Sequence, residues 1–153
     1  MRITVRCICL LVSVLAITST LVFAEERTKA DEQSLFTVKS LKCEFHISVM
    51  APKQWDDTPK IGKDAFSFHV DAINLHSGTA RLIANLGSAD LIVLPGTMCI
   101  NFIKQTPTGN MNFITVYPEL TKEGKFKAVY SRHITLLGIP MPSQRYGYCQ
   151  RWE

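Results

Sequence analysis

Three groupings of side chains in this chain have the types and spacing for chemistry. His69 and Asp71 stand two residues apart in an alternating segment, so they share one face of a strand. A carboxylate beside an imidazole orients it for proton transfer or for metal ligation. Ser131 and His133 share a face in the same way, and a hydroxyl beside a base is the start of an activated nucleophile. No Gly-x-Ser-x-Gly elbow and no third member accompany them. Cys43-x-x-His46 has the local spacing of half a zinc site. On a strand, however, positions 43 and 46 point to opposite faces, and no second Cys–His pair follows. The His69–Asp71 pair also has a plainer reading, as polar side chains on the solvated face of a half-buried strand, and Cys43 with His46 reads as a disulfide cysteine beside a surface histidine. The enzymatic alternative is therefore a small hydrolase or isomerase using His69 with Asp71, or His133. No metal and no cofactor is expected, since a phosphate-binding glycine loop and a dinucleotide fingerprint are both absent.

A second set of polar residues suits binding better than catalysis. Arg81, Asn85, Arg132, Arg145 and Tyr146 are the polar groups of interest, carried on strands rich in apolar and aromatic residues. Converging inside an apolar pocket, two or three of them would orient a small apolar or amphiphilic ligand. The leading expectation is non-enzymatic: a domain that binds such a ligand or an envelope partner. A third reading is a structural interaction protein that presents an edge or a loop, with Trp55-Asp56-Asp57 as the candidate loop.

The elements that must position these groups are strands. Leu41 to Val49 alternates strictly, with Leu41, Cys43, Phe45, Ile47 and Val49 on one face. Phe66, Phe68 and Val70 alternate with Ser67, His69 and Asp71, and the phase slips near Ala72-Ile73, as at a bulge. Thr79 to Leu86 alternates again, with Ala80, Leu82, Ala84 and Leu86 together. Leu91 to Leu94 reads as a short buried strand, and Met98, Ile100 and Phe102 alternate with Cys99, Asn101 and Ile103. Pro107-Thr108-Gly109-Asn110 is a hairpin signal. Further strands follow over Met111 to Tyr117, Phe126 to Leu136 and Gln144 to Trp152, with a loop at Gly138, Pro140 and Pro142. About eight strands with short connections predict an all-β domain of antiparallel neighbours, a small barrel or a two-sheet sandwich. Closure removes edges, which favours the barrel.

Met1 to Arg6 carries two arginines, and residues 7–24 form an uncharged run ending Val22-Phe23-Ala24 before Glu25-Glu26. This is the grammar of a signal peptide cleaved after Ala24; a retained N-terminal anchor is the alternative, because the run could nearly span a bilayer. The expected organisation is a signal peptide over 1–24, a flexible polar leader over 25–40 and one β domain over 41–153, periplasmic or extracellular after export. The net charge of +4 counts both signal arginines, so the domain is only mildly basic and no nucleic-acid partner is expected. The chain has no Asn-x-Ser/Thr sequon, which suits a bacterial exported protein.

Beyond the signal run the cysteines are Cys43, Cys99 and Cys149. An oxidising destination permits a disulfide. Cys43 lies in the first strand and Cys149 in the last, where a closing barrel sets the ends side by side. Cys43–Cys149 is the pairing expected, against the competing Cys43–Cys99 and Cys99–Cys149, and it leaves Cys99 as a buried thiol between apolar residues.

The stretches Gly78 to Gly87 and Phe102 to Asn112, the run Ser131-Arg132-His133 and the ending Tyr146-Gly147-Tyr148-Cys149 resemble a group of small exported bacterial proteins of no assigned function. The resemblance covers most of Leu41 to Trp152. It implies an envelope location and a β-rich domain, and no activity.

Overall fold

A computed structural model describes residues 35–152. The proposed signal segment, 1–24, and the first part of the leader lie outside the described residues. Ten strands follow in chain order: β1 (Leu41–Met50), β2 (Lys60–Asn74), β3 (Thr79–Ala84), β4 (Gly87–Pro95), β5 (Ile100–Gln105), β6 (Met111–Leu120), β7 (Phe126–His133), β8 (Thr135–Leu136), β9 (Ile139–Pro140) and β10 (Ser143–Arg151). Eight of them close into an antiparallel barrel in the order β1-β10-β7-β6-β5-β4-β3-β2, while β8 and β9 pair as a separate small hairpin. The barrel thus replaces the open choice between barrel and sandwich. Closure gives every long strand two neighbours, so none exposes an unpaired edge.

Inward positions alternate along each strand and build one core. Leu41, Cys43 and Phe45 of β1, Phe68 and Val70 of β2, Phe102 of β5, Val116 of β6 and Phe126 of β7 are all buried. The expected slip in β2 is present. Register shifts between Asp71 and Asn74, Ala72 takes φ 50°, and Ile73 is turned back into the core at 2% exposure.

The strict alternation expected through Val49 ends sooner. Register shifts between Phe45 and Ile47 on both sides of β1: His46 is an extra residue against β10, while on the other side Asp64 and Ala65 of β2 both stand opposite it. Ile47 is consequently on the outer wall and exposed, not in the core with Phe45. Other apolar positions are corrected in the same way. Leu86 is in the β3–β4 turn, not on the inner face, and Met98 precedes β5 and is exposed. Ile92 and Leu94 face outward while Leu91 and Val93 face inward, because β4 is buried on one face only. The strand expected to run from Phe126 to Leu136 ends at His133, and the following loop folds into β8 and β9.

Gly147 is dictated by the bulge. A Cβ there would lie 2.0 Å from the Glu44 carbonyl oxygen and 2.6 Å from Phe45 Cα, so β10 can cross β1 this closely only at a glycine. Gly147→Ala is expected to destabilise by about 1–3 kcal/mol, read as a lower urea midpoint; an unchanged midpoint would mean the seam relaxes freely.

At one end of the barrel, residues 35–40 pack against the strands. Leu35 and Val38, from the segment expected to be a polar leader, are buried in the core. Ile73 donates its N–H to the Lys39 carbonyl at 3.0 Å and Trp152 to that of Ser40 at 3.1 Å. The turns after β2, β4 and β6 lie at this end. The connections 51–59, 85–86, 106–110 and 134–142 lie at the other, called the loop end below.

Candidate functional site

The interior beneath the loop end is filled by aromatic rings. Phe45, Phe66, Phe68 and Tyr130 make all six possible pair contacts, with centroids between 5.2 and 6.2 Å apart. They come from β1, β2 and β7, whose inward positions meet at this level.

Arg145 closes this cluster. It follows the inward phase of Cys149 and Gly147 on β10, so its guanidinium enters the barrel mouth. It lies 4.7 Å from the Phe66 ring centroid and 5.7 Å from that of Tyr130, a stacked cation over aromatic faces. Its Nε donates to Asp64 Oδ2 from the inward face of β2. Arg145 Nη1 is buried and has no hydrogen-bond partner among the described residues. Burial pushes the Tyr130 hydroxyl pKa up, and the positive charges of Arg132 and Arg145 oppose the shift. Removing Asp64 would leave a guanidinium in the mouth without its counter-charge, so the ion pair is a lid on the rings rather than an open receptor.

The five residues expected around a ligand do not line one cavity. Arg132 and Arg145 enter the mouth from the neighbouring strands β7 and β10. Asn85 is exposed in the β3–β4 turn. Arg81 lies on the outer wall and holds Asp71 in a two-point ion pair, at 2.9 and 2.7 Å. Tyr146 points outward, and its hydroxyl bonds Gln144 Oε1 at 2.8 Å. Tyr146 and Tyr148 stand on the outer wall with His46, Ile47 and Val129 around a shallow groove of about 380 Å³.

The groups considered for catalysis are separated. The Arg81 guanidinium, by its hydrogen bonds, holds the Asp71 carboxyl below the usual carboxylate range, which makes it a poorer base. His69 does not bond Asp71; it meets the Trp152 ring edge-on at 3.9 Å between centroids, with Nδ1 buried and without a hydrogen-bond partner among the described residues. His133 is at the far end of β7, three strands around the barrel from β2, packed 5.3 Å from Phe113. Among the described residues no group of three His, Cys, Asp or Glu side chains could hold a metal ion.

Cys43 and Cys149 face each other across β1 and β10, with Cα atoms 4.0 Å apart, and form a disulfide. Cys99 is free. It is half-buried just before β5 rather than in the core, and Asn101 Nδ2 donates to its sulfur at 3.5 Å.

What residue-type reasoning missed is the apolar character of the loop end. Met50, Trp55, Ile61, Leu86, Leu136, Leu137 and Ile139 are all exposed there. Leu86 and Leu137 are at 103% and 94% exposure, so neither makes a core contact that would explain its type. The signal was readable only as leucines placed directly before Gly87 and Gly138, where turn chemistry favours polar residues. No family model, no curated protein and no solved structure matches the chain.

Proposed function

We propose that the protein is a non-enzymatic exported domain that docks onto an envelope component through the loop end of its barrel. The observation that carries this reading is the contrast between the two sides of the barrel mouth. Beneath it four rings fill the interior under the Arg145–Asp64 lid. Around it apolar side chains stand in solvent. Occupied interiors leave little room for a small ligand, whereas exposed apolar clusters mark interaction surfaces. Export is supported by the signal grammar of residues 1–24 and by a disulfide that persists in oxidising compartments.

Photo-crosslinking in the host envelope tests the reading. A photoreactive side chain at Leu86 is expected to give adducts, and one at Thr115, on the outer wall of β6, none. Adducts from Thr115 with none from Leu86 would move docking to the wall. A small molecule co-purifying at unit stoichiometry by native mass spectrometry would restore the ligand reading.

A further inference from the structure

We infer that the occupant of the loop end is a bilayer surface carrying anionic headgroups; this rests on the docking reading above and names its partner. Three observations bear on it.

The first is backbone strain at an exposed leucine. In the β8–β9 hairpin Leu136 pairs with Ile139, so Leu137 and Gly138 are the two turn residues, at φ 51° and 81°. Positive φ at both positions is the type I′ turn, whose favoured sequence is Asn-Gly. A leucine in the left-handed region is unfavourable. Burial does not compensate for it here, because Leu137 is almost wholly in solvent. A strained residue kept at a fully exposed tip points to a contact made outside the chain.

The second is shape. Trp55, Leu86 and Leu137 are carried on three separate connections. They are protrusions, not one continuous flat patch. A fluid interface accepts separate apolar protrusions without needing matched pits, and tryptophan favours the headgroup level.

The third is charge. Lys53, Lys60 and Lys63 are exposed on and beside the 51–59 connection. Arg132 and Lys104 occupy inward positions near the mouth, in register through Asn112. None of these five makes an ion pair among the described residues, whereas the neighbouring Asp64 is taken by Arg145. Against them stand Asp56 and Asp57, exposed beside Trp55. Free positive charge around apolar tips is complementary to an anionic lipid surface, where insertion and electrostatic attraction add.

The chain has two tryptophans, one at each end of the barrel, and this provides an internal control that works whether or not residues 1–24 are retained. In the Trp152→Phe chain, Trp55 emission is expected to shift to the blue and to be quenched by vesicles with brominated acyl chains, when they contain phosphatidylglycerol. In the Trp55→Phe chain, Trp152 is expected to be unaffected. Each of Lys53→Gln, Lys60→Gln and Lys63→Gln is expected to weaken binding about fivefold. Leu137→Asn is expected to weaken it about tenfold while raising the melting temperature, which separates docking from folding. Equal quenching of both tryptophans would overturn the orientation. Equal binding to neutral phosphatidylcholine vesicles would overturn the role of charge. Absence of Trp55 quenching on anionic vesicles would overturn the lipid occupant; protein adducts from Leu86 in the envelope would then still uphold the docking reading.

Discussion

Phe45→Ala is expected to destabilise the barrel by about 3–5 kcal/mol, the range for truncating a fully buried aromatic side chain. Phe45 is wholly buried. Its ring stacks on Phe68 at 5.5 Å and meets Tyr130 at 5.9 Å and Phe66 at 6.2 Å. The effect should lie at the upper part of that range for a specific reason. Phe45 directly precedes the β1 bulge, where Gly147 presses against its Cα. The backbone there cannot move inward to fill the void without opening the β1–β10 seam. Phe45→Leu keeps most of the volume and is expected to lose much less. Urea unfolding of the three chains measures the difference. Equal losses for alanine and leucine would show that ring contacts, not volume, are what Phe45 supplies.

Part of this fold is legible in the sequence. Turn chemistry was legible: the Pro107–Asn110 signal is the β5–β6 connection, with Gly109 at φ 82° and Thr106 N–H donating to the Asn110 carbonyl. The facing of Cys43 and Cys149 followed from barrel closure, which requires the first and last strands to pair. The His46 bulge was not legible. Leu41 to Val49 alternates without a fault in its own residues; the register shift exists only in its pairing with β10 and β2. Ile92 and Leu94 misled for a related reason, because a continuous apolar run has no period and hides which side is buried.

Arg145 illustrates a different limit. Its residue type argues for solvent, and only the inward phase of β10 puts it over the rings with Asp64, 81 residues away in the chain. Leu86 and Leu137 are the converse. Their type argues for the core, and only the turns that carry them place them outside. In both cases the side chain sits where its own chemistry is least at home. Both positions lie at the loop end, which is where the proposed docking site is.

Reducing the Cys43–Cys149 bridge is expected to destabilise the protein by about 2–4 kcal/mol, with about 4.7 kcal/mol as the chain-entropy value for a loop of roughly 100 residues. The two cysteines are separated by 106 positions, so the bond closes nearly the whole described chain. The folded state gains little from it directly. β1 and β10 already pair from Leu41↔Arg151 to Met50↔Ser143, and both cysteines are wholly buried. The stabilisation therefore acts on the unfolded chain, which is held compact while oxidised. Two signatures follow and can be measured together in urea, with and without reductant. The midpoint should fall on reduction, and the m-value should rise, because a chain without the cross-link exposes more surface. Comparing oxidised and reduced forms of one sequence removes no side chain and opens no cavity, so the difference is the bond alone. Alkylating the unfolded, unreduced protein should label Cys99 and leave Cys43 and Cys149 unlabelled. Label on either of those two would refute the pairing. A lower midpoint with an unchanged m-value would place the stabilisation in the folded seam between β1 and β10 instead of in the unfolded chain.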